Sequence, residues 1–329
     1  MAPCPNDSAM QDIDDVSHEN IRIANDYAKI AYCLIASLGI IGNLLVIFVI
    51  GRSATMRKTY TNVFILNQST IDFLASVCIL VSSITKKTEY HLSGVAGELF
   101  CRLWLTDLPL WSLLTSSSYT LIALTFERYM SIVYPIKHFN WFSERKVLVM
   151  AVVAWFPGFI LNPCFVVLTS RVVDGRCKVV TFFVNDSWRR TAGVIVFVIQ
   201  YLVPTICFII CYSRIFIYLR RRVEPEAQAN GNAAAAEKAR VRRNVLKTLV
   251  IIVVCYIVCN SWNQFAFLSF NFGAHLDYTS TFYHFTVILM FTNCCINPII
   301  YTVQYQRYKT ELRKLFCKCS GPTSTVVPA

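Results

Sequence analysis

Seven apolar stretches of membrane length divide the chain, near residues 28–50, 62–85, 104–126, 147–168, 191–213, 248–270 and 282–303. A hydrocarbon core of ~30 Å demands about 20 predominantly apolar residues per helix. The pattern predicts an all-α membrane protein: a seven-transmembrane helix bundle over residues 28–303, with no internal repeat. An extracellular N-terminal tail (1–27) would precede it, and an amphipathic helix and cytoplasmic tail (304–329) would follow. Asp72 interrupts the second stretch, and Asn260 with Ser261 the sixth. The seventh carries Asn293, Asn297 and Pro298. A proline inside a membrane helix frees backbone carbonyls, which neighbouring helices or water must re-satisfy. Polar groups at that depth face the bundle and mark function. The last helix is therefore expected to hold a built-in weak point, which suggests a conformational switch.

Composition agrees with a membrane protein. The 329 residues are 55% apolar and only 15% charged, unlike a soluble domain of this size. The net charge of +12 would suggest nucleic acid in a soluble protein, but its distribution argues against that partner. Ten of the 31 Lys and Arg fall in the N-terminus and the even-numbered gaps. The remaining 21 fall in the odd-numbered gaps and the C-terminal tail, the side expected to be cytoplasmic. That places the N-terminus outside and the C-terminus inside, at the plasma membrane. Residues 1–27 hold six acidic side chains and no apolar core of a signal peptide, so the first span is expected to direct insertion. The sequons at Asn6 and Asn185 both fall on the predicted outer side. The one at Asn67 lies within a span, beyond a transferase's reach.

Most of the 14 cysteines sit within spans, where a free thiol acts as a small apolar residue. Cys101 begins the third span and Cys177 lies in the second outer loop, both facing an oxidising compartment. Their pairing would tie that loop over the mouth of the bundle. Cys4 is also outside, with no obvious partner. The loop itself reads as a hairpin over 171–180, with Asp174-Gly175 between two β-prone arms. Residues 224–237 are polar and Ala-rich, and read as a mobile connection between the fifth and sixth helices. The basic residues flanking them suit lipid headgroups, and also a docked cytoplasmic partner. After Tyr301, Tyr308, Leu312, Leu315 and Phe316 recur at helical spacing opposite Arg307, Arg313 and Lys314, the pattern of an interfacial helix. Cys317 and Cys319 end it. They suit palmitoylation beside a basic face; the alternative is two inert thiols.

Several fragments then converge on one family. Asn43, Asp72, Glu127-Arg128-Tyr129 with Pro135 beyond it, Trp155, Pro204 with Tyr212, and Asn297-Pro298-Ile299-Ile300-Tyr301 fall one group per span, in order. The chain thereby resembles the rhodopsin-like G-protein-coupled receptors. The resemblance implies a non-enzymatic receptor that passes ligand binding to a heterotrimeric G protein, with arrestin and membrane lipids as further partners. It implies that Glu127 holds Arg128 until Tyr212 and Tyr301 turn inward, and that Ile136 is offered to the G protein. It also implies that Asp72, Ser117, Asn293 and Asn297, with Asn43 nearby, cage a sodium ion. A hydrogen-bonded Asp72 without the ion is the alternative.

The chain departs from that family in three places. The family's sixth-helix Cys-Trp-x-Pro is Cys259-Asn260-Ser261-Trp262 here, with neither the tryptophan nor the proline in place. Trp262 is then a pocket aromatic or a lipid-facing residue. No acid lies near Arg242, so no sixth-helix carboxylate can hold Arg128, and raised basal activity is expected. Cys101 and Arg128 are 27 residues apart, two more than the family spacing, an excess that Pro109 could absorb by a bulge or a late helix start. The third helix offers Leu108 or Leu110 where amine receptors have Asp, although Asp107 is near. The seventh span has no Lys for retinal. The acidic tail and the hairpin resemble peptide receptors, so the expected ligand is an extracellular neuropeptide. Asp107, Gln200, Asn263 and Gln264 are candidate ligand groups, and each could equally be a satisfied bond between helices. A receptor for an amine or lipid, and a transporter using Asp72 as a relay, are the alternatives.

Overall fold

The computed structural model describes residues 7–85, 91–223, 233–277 and 279–317, with side chains for 25–85, 91–221, 247, 250–277 and 279–315. Cys4, Asn6, Cys319 and residues 224–232 lie outside the described residues, as do the side chains of Arg242, Phe316 and Cys317. The main helices are α1 (Asp7–Arg52), α2 (Tyr60–Ile84), α3 (Leu108–Val133), α4 (Glu144–Thr169), α5 (Asp186–Arg221), α6 (Ala233–Asn271), α7 (Thr281–Gln304) and α8 (Gln306–Cys317). The first seven form the bundle. Helix α1 starts well ahead of residue 28, and its membrane-length apolar part is Asn25–Arg52. Leu34, Leu38, Ile41 and Phe48 make its exposed stripe at helical spacing, a face for lipid.

Helix α3 is built differently. Six described helices are long and apolar enough to cross a membrane, and α3 is not among them. It carries Ser112, Thr115, Ser116, Ser117, Ser118, Thr120 and Thr125, all buried. It packs against α2, α4 and α5, so these residues meet protein rather than lipid. Several return their hydroxyls to carbonyls four residues back, as Thr115 does to Trp111 and Thr120 to Ser116. A helix hidden at the centre need not be apolar, and small residues let its neighbours come close. At Gly158 of α4 the approach is extreme: an added Cβ would stand 2.0 Å from the Ser112 carbonyl oxygen.

The third span also starts later than residue 104. Cys101–Leu105 form a widened π turn, Asp107 takes a left-handed conformation (φ 53°, ψ 33°), and α3 begins at Leu108 with Pro109 in its first turn. Proline suits that position, where the missing N–H has no helical partner anyway. Aspartate tolerates left-handed backbone better than most residues. The bulge and the late start together accommodate the two extra residues before Arg128, and they set Asp107 at the break.

Two of the carbonyls freed by prolines find side-chain partners. Pro298 cannot bond Cys294 O, and Asn43 Nδ2 donates there instead at 2.8 Å. Asn43 therefore turns its amide to the α7 backbone, not to Asp72 as the resemblance implied. Pro204 leaves Gln200 O, and the Tyr256 hydroxyl donates to it at 3.1 Å. In α6, which runs unbroken to Asn271, Asn260 Nδ2 and the Ser261 hydroxyl bond the carbonyls of Tyr256 (2.8 Å) and Ile257 (2.6 Å). Such back-bonding slightly destabilises a helix and is not by itself a break in it. Trp262 is half exposed and meets Phe285 of α7 edge-on, so it belongs to the lipid side of the α6–α7 seam.

The second loop is the expected hairpin. β1 (Arg171–Val173) pairs antiparallel with β2 (Arg176–Lys178). Asp174 (φ 50°) and Gly175 (φ 73°) supply the two positive φ angles of a type I′ turn. The Cys101–Cys177 disulfide, with Cα atoms 5.4 Å apart, ties β2 to the start of the third span. Helix α8 has the expected amphipathic form, but Tyr308, Leu312 and Leu315 pack against the bundle core, so its apolar face covers protein.

Candidate functional site

At the end of the bundle away from the hairpin, Glu127 is fully buried. Arg128 grips it with two prongs, Nε to Oε2 at 2.6 Å and Nη2 to Oε1 at 2.7 Å. Paired, charge-assisted bonds of this kind are the strongest the side chains can make. Two further groups reach the same carboxylate: Thr61 donates to Oε2 at 3.2 Å, and His138 Nε2 lies 3.0 Å from Oε1. His138 sits on the short helix Pro135–Trp141 and stacks on Phe142 at 4.6 Å. Ile136 on that helix is 78% exposed, available to a docking partner. Tyr129 rests edge-on against Tyr134. Tyr212 lies 3.4 Å from the Thr125 hydroxyl, a marginal bond. The Tyr301 hydroxyl is buried, with no hydrogen-bond partner among the described residues.

Between the two ends lies Asp72, also fully buried. Its carboxylate is met by donors. Gln68 Nε2 stands 3.3 Å and 3.1 Å from the two oxygens, the Ser117 hydroxyl 2.9 Å from Oδ1, and Asn297 Nδ2 3.0 Å from Oδ2. Gln68 also bonds Ser117. Asn293 is buried nearby on α7 but, among the described residues, makes no hydrogen bond to Asp72. Among the described residues, the side-chain oxygens of Asn43, Gln68 and Asn297 have no hydrogen-bond partner.

Toward the hairpin, a cavity of about 360 Å³ opens among the helices. Its wall includes Asp107, Trp111, Asn162, Gln200, Asn263 and Gln264, with Val179 and Val180 contributed by the second loop. All four sequence-derived ligand candidates thus meet at one cavity. The size is in the range of small-ligand sites. The Ser82 hydroxyl donates to Asp107 Oδ1 at 2.7 Å, and Gln200 and Gln264 both bond other helices, so the candidates are partly committed to structure.

The family model described as "7 transmembrane receptor (rhodopsin family)" matches residues 42–301, most of the chain. The chain belongs to that receptor family. Among curated proteins it is similar to Galanin receptor 2b of Danio rerio, 26% identical over 300 residues that make up 89% of this chain and 75% of that one. It is also similar to Melanopsin-A of Danio rerio, 26% identical over 287 residues covering 84% of this chain and 47% of that one. Its fold matches squid rhodopsin at a TM-score of 0.70 and 17% identity, over 94% of this chain and 93% of the other. Members of the family are non-enzymatic multi-pass membrane receptors.

Of the motif residues, Glu127 pairs with Arg128, and Ser117 and Asn297 meet Asp72. Trp155 Nε1 donates to Asn67 Oδ1 at 3.0 Å, which binds that unreachable sequon into the bundle. Sequence reading missed Gln68, His138, Thr61 and Asn162. Gln68 had a visible signal, since it stands one helical turn before Asp72. His138 had none, because its contact with Glu127 depends on how the Pro135 turn folds back.

Proposed function

We propose that the chain is a plasma-membrane receptor for an extracellular neuropeptide-type ligand, and that it drives a heterotrimeric G protein. Its N-terminus is extracellular and its C-terminus cytoplasmic. The observation that carries this reading is the placement of two features on one helix. The start of α3 borders a cavity that the disulfide-tied second loop also lines through Val179 and Val180, and its other end carries the Glu127–Arg128 clasp beside an exposed Ile136. A ligand that fits one arrangement of α3 better than another would shift the clasp by its differential affinity. The names of the galanin receptors favour a peptide. The absence of any lysine in Thr281–Gln304 argues against retinal, despite the likeness to a melanopsin.

Further parts of the reading follow from the same surfaces. Arrestin and anionic lipids are partners for the basic end. Asn185 is a glycosylation site: it is exposed, and its Oδ1 caps α5 by accepting from Trp188 N at 2.7 Å, leaving Nδ2 for the sugar. Asn6 is the second such site, and Cys317 with Cys319 the palmitoylation pair. A sodium ion, held by Asp72, Ser117, Asn293 and Asn297, competes with the Gln68 amide for the carboxylate. Replacing external sodium with a bulky organic cation should therefore change basal output more in Gln68→Leu than in wild type; equal responses would discard the competition.

The test is a screen of galanin and a synthetic neuropeptide panel on cells expressing the chain, with G-protein dissociation as the readout. A peptide-evoked signal that Arg128→Ala abolishes at equal surface expression is expected. Activation by amines or lipids alone would replace the ligand class. Solute flux in cells lacking G proteins would replace the receptor with a transporter.

A further inference from the structure

The hairpin sets two cations opposite each other. In its antiparallel register Arg171 stands across from Lys178, Val172 from Cys177 and Val173 from Arg176. Side chains alternate along a strand, so Arg171, Val173, Arg176 and Lys178 share one face, and Val172 and Cys177 share the other. The Cys101–Cys177 disulfide turns that second face to the bundle. The first face is left to solvent, and Arg171, Arg176 and Lys178 are all exposed on it. Like charges directly opposite one another destabilise a strand pair. The Asp174-Gly175 turn and the disulfide hold the ribbon together despite them.

Nearby acids do not relieve the repulsion. Glu98 accepts from Val172 N at 3.1 Å and pairs with Arg102 at 3.1 Å. Asp174 sits in the turn, at the far end of the ribbon from the Arg171–Lys178 pair. Among the described residues, neither Arg171 nor Lys178 is in an ion pair. Arg171 instead lays its guanidinium over the Phe182 ring, 3.6 Å from the centroid. Stacking uses the flat face of the guanidinium and leaves the N–H groups around its edge, the fork that suits a carboxylate. Lys178 is followed directly by Val179 and Val180, which line the cavity, so the cationic face adjoins the ligand site.

We propose that this outward face of the hairpin docks an acidic segment of the peptide ligand, the Asp- or Glu-bearing stretch that flanks the end held in the cavity. A carboxylate placed between Arg171 and Lys178 turns their repulsion into a bridge. The inference rests on the peptide-receptor reading and narrows its ligand to peptides with acidic residues beside the inserted end.

The test uses the purified full-length chain in phosphatidylcholine nanodiscs and three fluorescent probes: hexaglutamate, hexaglutamine and a heparin hexasaccharide. Binding is read from fluorescence polarisation. At low salt hexaglutamate should bind and hexaglutamine should not, and raised salt should erase the difference. Replacing both cations, Arg171→Gln with Lys178→Gln, should weaken hexaglutamate about tenfold. The basic residues at the cytoplasmic end stay in every variant, so the difference belongs to the hairpin. Lys178→Glu should weaken binding at least as much, yet it sets a carboxylate opposite Arg171, so its melting temperature should equal or exceed that of wild type. Lost binding in that variant is then not a loss of fold. Three results would each overturn the proposal: no binding of hexaglutamate, equal hexaglutamate affinity in wild type and variants, or binding of the heparin fragment alone. In the peptide screen, activation only by peptides without acidic residues would overturn it too and leave the receptor reading standing. A failed screen with the hairpin binding intact counts against the receptor reading and not against this surface.

Discussion

Gly158→Ala should leave almost no folded receptor at the cell surface. The new methyl carbon would lie 2.0 Å from the Ser112 carbonyl oxygen and 2.5 Å from the Ser116 hydroxyl. The hydroxyl could rotate away, but the carbonyl belongs to the backbone of α3 and cannot. The two helices would have to separate. That separation strains the Ser116 hydroxyl's bond to Trp155 O (3.1 Å) and the Asn162 amide's bond to Thr115 (3.1 Å). Overpacking alone costs about 1–3 kcal/mol, and each lost buried bond adds about 1 kcal/mol. The sum is a large share of the ~5–15 kcal/mol that holds a typical folded protein together. Gly51→Ala is the control, since nothing lies within 4 Å of its added carbon. Flow cytometry on an epitope-tagged chain would compare the two. Wild-type surface levels for Gly158→Ala would show that α3 and α4 do not approach this closely.

Glu127→Gln should raise basal G-protein signalling about tenfold, the equivalent of ~1.4 kcal/mol taken from the resting arrangement. The variant keeps the shape of the side chain and removes its charge. Arg128 then loses the partner of its two-pronged grip, and His138 loses the carboxylate at 3.0 Å. Breaking a buried pair from one side costs more than the pair contributes, because a cation is left uncompensated. The resting state bears that cost, so the population moves toward whichever state frees the guanidinium. His138→Phe keeps the stacking on Phe142 and should give a smaller rise. The position that would provide a second clasp is Arg242, and the nearest acid, Glu237, lies more than a helical turn away, so wild type itself should signal above empty vector. Nucleotide exchange in membranes, matched for surface expression, measures all of these together. A basal rate for Glu127→Gln at or below wild type would remove the clasp from the mechanism.

Much of the architecture was legible in the sequence because the bilayer imposes it. Membrane-length apolar runs, the Asp174-Gly175 turn and the periodicity of 306–316 each express a local rule, and each appears in the fold. The position of Asp107 was legible only in part. The extra spacing and Pro109 pointed to a bulge, but the π turn and the left-handed residue depend on the disulfide and the α2 contact through Ser82. The polar partners were the least legible. Asn43 could have faced Asp72 or the Pro298 gap, and sequence spacing does not distinguish them; packing of α1 on α7 does. The hydrogen bonds from Asn162 to Gln200 and from Gln200 to Gln264 join residues far apart in the chain, which no periodicity could bring together. Trp262 falls on the lipid side because an unbroken α6 carries it there, whereas a proline-kinked helix would have presented that position differently.

The serine- and threonine-rich centre of α3 bears on how the protein is made. A translocon weighs each emerging segment largely by its own affinity for lipid. Alone, α3 would partition poorly, and its packing against α2, α4 and α5 covers its hydroxyls from lipid. It should therefore wait at the channel's edge until α4 has been synthesised, and the two should enter the bilayer as a pair. Substitutions on α4 that never touch the cavity or the clasp would then appear as biogenesis defects, with α3 stranded outside the membrane and retained by quality control.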